Sequence, residues 1–196
     1  RYEMNLIRLK GFKVVIMDKQ NLNLILMPTF SCNMVCDYCY VVYKKPGVMD
    51  IYLAKSAIEQ SMNLNDSSLP TNVYWHGAEP LIAGIDFYSK IFEWTEENFG
   101  LDTVRHHIQT NGTLLNEHWY DIFIKHHITV GVSLDGPMIL HDRHRKVKSR
   151  EGSFDVVFSN ISEARKRKLY FDVLCVISRD TLDHIDELFN FFWENK

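Results

Sequence analysis

Residues 22–40, LNLILMPTFSCNMVCDYCY, run from an apolar stretch straight into a loop bearing three cysteines. Residues 22–27 read as a short buried strand. Pro28 ends it, because proline offers no N–H to a sheet ladder. Cys32, Cys36 and Cys39 follow at the spacing C-x3-C-x2-C. A dinucleotide-binding α/β fold would place a glycine-rich turn after its first strand, and here that turn holds cysteines instead.

Outward from this point the chain alternates strands and helices. Asp50 is a credible N-cap for IYLAKSAIEQSMNL (51–64), whose Ile51, Ala54, Ala57, Ile58 and Met62 share one helical face. VYWH (73–76) is a strand, GAEP (77–80) a turn, and residues 85–99 a helix stopped by Gly100. VRHHIQT (104–110) is a strand ended by Asn111-Gly112, and residues 116–127 form a helix. TVGVSL (129–134), a charged loop, a helix over 153–168, a strand over 170–178 and a last helix over 182–195 complete the series. Five strand–helix units imply right-handed parallel crossovers and an α/β fold. Cys32 to Cys39, His76 to Glu79, Gln109 to Asn111 and Ser133 to Asp135 all fall at or just past strand C-termini. A full or partial α/β barrel gathers those ends at one mouth, so it is expected over a flat doubly wound sheet.

Three thiolates on so short a loop can occupy three corners of a cubane iron–sulfur cluster, leaving the fourth iron open to a small molecule. Structural zinc would call for a fourth ligand close by, and such sites commonly pair two C-x2-C units, of which this loop has one. Cys175, alone on an apolar strand, reads as core.

The loop resembles the signature of the radical S-adenosylmethionine (SAM) superfamily, and the similarity runs through essentially the whole chain. The resemblance implies a partial (β/α)6 TIM-like barrel with five of six units visible. Residues 1–196 would be a core domain lacking its sixth unit and any cysteine-rich extension for auxiliary clusters. It implies a [4Fe-4S] cluster on Cys32, Cys36 and Cys39, and S-adenosylmethionine cleaved to a 5′-deoxyadenosyl radical. Tyr38 would lie beside the adenine, or be a packed aromatic.

GAEP resembles the family's G-G-E-P turn, with Ala78 in place of the second glycine. Gly77, Ala78 and Glu79 are thereby implied as contacts of the methionyl ammonium. QTNG (109–112) and GVSLDGP (131–137) are similar to the SPASM-type subgroup, which matures sulfatases and modifies ribosomal peptides. That likeness implies Asn111 near the cofactor, Ser133 on the ribose hydroxyls and Arg145 on the methionyl carboxylate, with Arg143 the competing choice. Asp135 is a supporting residue or a turn residue beside Gly136-Pro137. His76 is either near substrate or a hydrogen-bonded strand-end histidine.

The 196 residues, 46% hydrophobic and 24% charged with a formal net charge of −3, suit one globular core. They give no electrostatic drive toward nucleic acid or an anionic membrane. No apolar run is long enough to span a bilayer, which needs roughly 20 residues. The four cysteines form no disulfide framework, so a reducing, cytoplasmic setting is expected. The sequence favours a radical enzyme acting on a peptide or protein, with a flavodoxin- or ferredoxin-type reducing partner. A radical enzyme on a small metabolite and an electron-transfer iron–sulfur module are the alternatives.

Overall fold

The computed structural model describes residues 4–9, 12–17, 22–66 and 68–195. Strands β1 (Met4–Leu9) and β2 (Phe12–Met17) form an antiparallel hairpin of their own. The main sheet is parallel and holds β3 (Asn23–Leu26), β4 (Thr71–Trp75), β5 (Val104–Thr110), β6 (Thr129–Ser133) and β7 (Phe171–Leu174) in chain order. A doubly wound sheet reverses its strand order part-way; an unbroken sequential order is that of a barrel wall. The chain adopts a partial barrel of TIM-like type, as the clustering of unusual residues at strand ends implied.

Helices α1 (Ile51–Leu64), α2 (Ile85–Phe99) and α3 (Glu117–Lys125) follow β3, β4 and β5, with a short 3-10 turn at Pro80–Ala83 ahead of α2. After β6 come α4 (Met138–His144) and α5 (Phe154–Lys166), and after β7 come α6 (Arg179–Leu182) and α7 (Ile185–Glu194). Asp50 caps α1 by accepting from the N–H groups of Tyr52 and Leu53, and Asn116 caps α3 the same way from His118 and Trp119. Among the described residues no helix is long and apolar enough to cross a membrane.

Strand alternation sorts the sheet into two faces. Thr71, Val73 and Trp75 of β4 and Val104, His106, Ile108 and Thr110 of β5 are buried, and the core packs Val73, Trp75, Val104 and Ile108 with Tyr88, Ile91 and Phe92 of α2 and Trp119 and Phe123 of α3. A short polar chain is built into this core. The Trp75 indole N–H donates to Nδ1 of His106 at 3.1 Å, leaving Nε2 to donate to Thr95 Oγ1 at 3.1 Å, and Thr95 passes its proton to the Phe92 carbonyl. Burial lowers the His106 pKa to about 3. The opposite, concave face carries Asn72, Tyr74, His107 and Gln109, all half-buried, of which the last three border a hollow.

The structure departs from the sequence reading in places that bear on the site. The last strand stops at Leu174 rather than running to residue 178, because the Val176 N–H is taken by the Asp135 side chain at 3.0 Å. The charged loop after β6 contains a helix, α4, held by backbone bonds from Leu140 and His141 to the Pro137 carbonyl. Cys175, expected in the core, is half-buried beside β7.

Candidate active site

The strand C-termini surround a cavity of about 310 Å³ lined by all three clustered cysteines, by Tyr38, His76, Gly77, Ala78, Asn111, Ser133 and Arg145, and by Lys44. Cys175 is not among its lining residues. The cysteine loop is clamped from both sides. Val35 N–H donates to the Lys146 carbonyl at 2.8 Å and Asp37 N–H to that of His144 at 3.2 Å, while the Lys44 ammonium reaches the Met34 carbonyl at 2.5 Å.

The sulfurs are set among hydrogen-bond donors and are largely buried. Cys32 Sγ accepts from Met34 N–H at 3.4 Å and from the Asn111 amide at 3.9 Å. Burial pushes the Cys36 thiol up to about 11, an effect opposed by the nearby charges of Arg145 and Lys44 and reinforced by Cys32 and Cys39. Burial also raises the Cys32 pKa, so a bound cation is what would draw these thiols into the thiolate form. Among the described residues no His, Cys, Asp or Glu trio is close enough to hold a single ion. Three thiols lining one cavity are a donor set suited to three corners of an iron–sulfur cluster.

Glu79 is enclosed where the GAEP turn meets the end of β5. Its side chain is 0% exposed and is not among the residues that line the cavity. Oε1 accepts from Leu81 N–H at 3.1 Å and Thr110 Oγ1 at 2.7 Å, and Oε2 from Asn111 N–H at 2.7 Å. Burial raises its pKa to about 7 against the pull of those three bonds. Glu79 therefore ties the GAEP turn to the end of β5, while Gly77 and Ala78 line the cavity. Gly77 has φ +96°, and a Cβ there would sit 2.5 Å from Met27 Cε, so the turn needs glycine.

Asp135, 1% exposed, is the hub on the other side. Oδ2 accepts from the Tyr38 hydroxyl and, at 2.8 Å, from Arg145 Nε, and Oδ1 accepts from Val176 N–H. The Arg145 guanidinium also lies 5.4 Å from the centre of the Tyr38 ring. Burial opposes the arginine's charge, but the Asp135 carboxylate outweighs it and holds the Arg145 pKa above its ordinary value. Arg143 points elsewhere: its side chain is 42% exposed, 3.7 Å from Asp180. Arg145 is thus the arginine that reaches the cavity. Behind it, Asp135 N–H donates to His141 Nδ1, His141 Nε2 bonds Ser153 Oγ at 2.9 Å, and Ser153 Oγ donates to the Arg145 carbonyl.

His76 Nδ1 accepts from Gly77 N–H at 2.6 Å and from the Tyr40 hydroxyl at 2.9 Å, which leaves the neutral ring its proton on Nε2. Burial lowers its pKa. It borders both the cysteine cavity and a second hollow of about 180 Å³ on the concave face. Lys44, Gln109, Leu174 and Val176 also line the main cavity. Lys44 sits in YVVYKKPG, which carries no motif, and the reach of Leu174 and Val176 depends on where the last strand ends.

A family model described as the Radical SAM superfamily matches residues 26–192. The chain belongs to the radical SAM superfamily. It is thus a member of a family of enzymes whose cofactors are a [4Fe-4S] cluster and S-adenosylmethionine. A cysteine-type anaerobic sulfatase-maturating enzyme of Clostridium novyi is 31% identical over 182 residues, 88% of this chain and 48% of that protein. A serine-type enzyme of Bacteroides thetaiotaomicron is 33% identical over 171 residues, 83% of this chain and 41% of that protein. Among solved structures, native anSMEcpe with bound AdoMet and Cp18Cys peptide superposes with TM-score 0.81 at 28% identity, covering 88% of this radical SAM chain and 48% of that one. The chain spans about half the length of the relatives it matches.

Proposed function

We propose that this chain carries the cofactor-cleaving site of a radical SAM enzyme that removes a hydrogen atom from a side chain of a peptide or protein, as in sulfatase maturation or ribosomal peptide modification. The observation that supports it most is the convergence of Cys32, Cys36 and Cys39 on one cavity with Gly77, Ala78, Ser133 and Arg145. In this reading the three thiolates hold a [4Fe-4S] cluster, which with S-adenosylmethionine supplies the electron and the carbon radical when bound.

The chain's own groups hold and orient the cofactor. Gly77 and Ala78 present backbone to the methionyl ammonium, on a turn that Glu79 fixes from behind. Arg145 spends Nε on Asp135, so its two terminal amino groups face the methionyl carboxylate, for which a planar fork is suited. Ser133 meets the ribose, Tyr38 flanks the adenine and Asn111 supports Cys32. His76 and Tyr40 stand at the border with the concave hollow, where substrate would approach. The peptide assignment draws support from the sulfatase-maturating relatives and from the peptide bound in the similar solved structure. A flavodoxin- or ferredoxin-type protein would deliver the electron.

The test is anaerobic reconstitution, with 5′-deoxyadenosine measured under dithionite in the presence and absence of peptides containing a sulfatase-type cysteine or serine. Formation of 5′-deoxyadenosine that rises with peptide supports the reading. A loaded cluster that never cleaves S-adenosylmethionine refutes it.

A further inference from the structure

Gly131 lies in the middle of β6 without a positive φ, so nothing in its backbone conformation asks for glycine. A strand-interior glycine weakens a strand and marks a place where another group comes close. The group is Gln109, its cross-strand partner on β5. A Cβ built on Gly131 would meet Gln109 Oε1 at 2.2 Å and Cδ at 3.1 Å. The Gln109 amide therefore lies flat across the bare backbone of residue 131, and in that position Nε2 donates to Ser133 Oγ at 3.1 Å. Gln109 also borders both the cysteine cavity and the concave hollow.

We infer that Gln109 is a positioning residue seated on Gly131, and that its amide sets the direction of the Ser133 hydroxyl toward the ribose of S-adenosylmethionine. The chemistry is one of proton bookkeeping. A serine oxygen that accepts an amide N–H has one lone pair engaged, and its O–H turns away from that donor. Ser133 then offers its proton into the cavity, where a ribose hydroxyl oxygen accepts it. Without Gln109 the serine rotates freely and must be ordered at the moment of binding. The inference rests on the proposed contact between Ser133 and the ribose.

The experiment is a set of mutant cycles on the reconstituted protein, reading the dissociation constant of S-adenosylmethionine from its perturbation of the reduced cluster's paramagnetic resonance spectrum. Ser133→Ala and Gln109→Ala should each weaken binding by about fivefold to tenfold, the range for one hydrogen bond. The double variant should be no weaker than Ser133→Ala, because Gln109 acts through that hydroxyl. Gly131→Ala should match Gln109→Ala, since only the end of a flexible side chain has to move. It should add nothing in the Gln109→Ala background, where the obstructed amide is gone. Iron content should be the same in every variant. Additive losses in the Ser133/Gln109 pair, or unchanged affinity in Gln109→Ala, overturn the inference while leaving the ribose contact standing. Unchanged affinity in Ser133→Ala overturns both.

Discussion

Replacing Asp135 with Asn tests the hub that joins the cysteine loop, Arg145 and the segment after β7. Asp135 and Arg145 are 2% and 8% exposed in their side chains and 2.8 Å apart, so neither is screened by water. Two unit charges about 4 Å apart attract by roughly 4 kcal/mol at an effective dielectric constant near 20. Removing one member of a buried pair typically costs about 3–5 kcal/mol, because the survivor is left charged and alone. The asparagine amide must also face a donor at one of the two oxygens, which now accept from Tyr38, Arg145 and Val176. Asp135→Asn should therefore lose about 3–5 kcal/mol in anaerobic urea unfolding. A second variant separates stability from function. Asp135→Leu with Arg145→Met removes both charges and should recover much of the stability. It should still bind S-adenosylmethionine poorly, because the carboxylate has lost its guanidinium. A loss below about 1 kcal/mol in Asp135→Asn, with affinity unchanged, would refute the reasoning.

Arg145→Ala should weaken S-adenosylmethionine binding at least about tenfold, the scale of a charge-assisted pair, whereas Arg143→Ala should leave it within about twofold; titration of the reconstituted protein distinguishes them. Gly77→Ala should destabilise the protein by about 1–3 kcal/mol, from a positive φ and a clash with Met27, and thermal unfolding would show it. Stability should also fall with pH below about 6.5, measured by unfolding between pH 7 and pH 5. Burial holds His106 and His141 neutral in the fold, with pKa values of about 3 and about 4. The unfolded chain takes up protons near pH 6.5 that the folded one refuses, at about 1.4 kcal/mol per pH unit for each group. Glu79, with a folded pKa of about 7, takes up a proton in the fold over the same window and offsets about one of the two, leaving a net fall of about 1.4 kcal/mol per pH unit. Stability that stays flat across this window would mean the buried rings are charged.

Much of the barrel wall could be read from the sequence, and the reasons are local. The apolar face of residues 85–99 and the stop at Gly100 delimit α2, and alternation with the Asn111-Gly112 turn delimits β5. Helix α4 escaped because MILHDRH has seven residues and little apolar stripe; its order comes from Pro137 and from His141 buried behind Asp135. The hairpin of β1 and β2 also escaped, although Lys10-Gly11 between two apolar runs is a turn signal. Of the cavity members, Cys32, Cys36 and Cys39 were named from their spacing, and Gly77, Ala78, Asn111, Ser133 and Arg145 from the resemblance to the radical SAM family. The inward posture of the Glu79 carboxylate was not legible, because it depends on Thr110 and Asn111 arriving from a neighbouring strand. The same holds for the hub role of Asp135, whose partners Tyr38 and Val176 come from segments distant in sequence.

The central claim is that three thiols on one loop hold a cluster whose remaining iron faces the Gly77–Arg145 cavity. Paramagnetic resonance of the reduced, anaerobically reconstituted protein, before and after S-adenosylmethionine, tests it most directly when run on four variants. The expected result is one [4Fe-4S] signal that shifts with S-adenosylmethionine in the unaltered chain and in Cys175→Ala, and is lost in Cys32→Ala, Cys36→Ala and Cys39→Ala. Loss of the signal in Cys175→Ala, or a signal indifferent to S-adenosylmethionine, would contradict it.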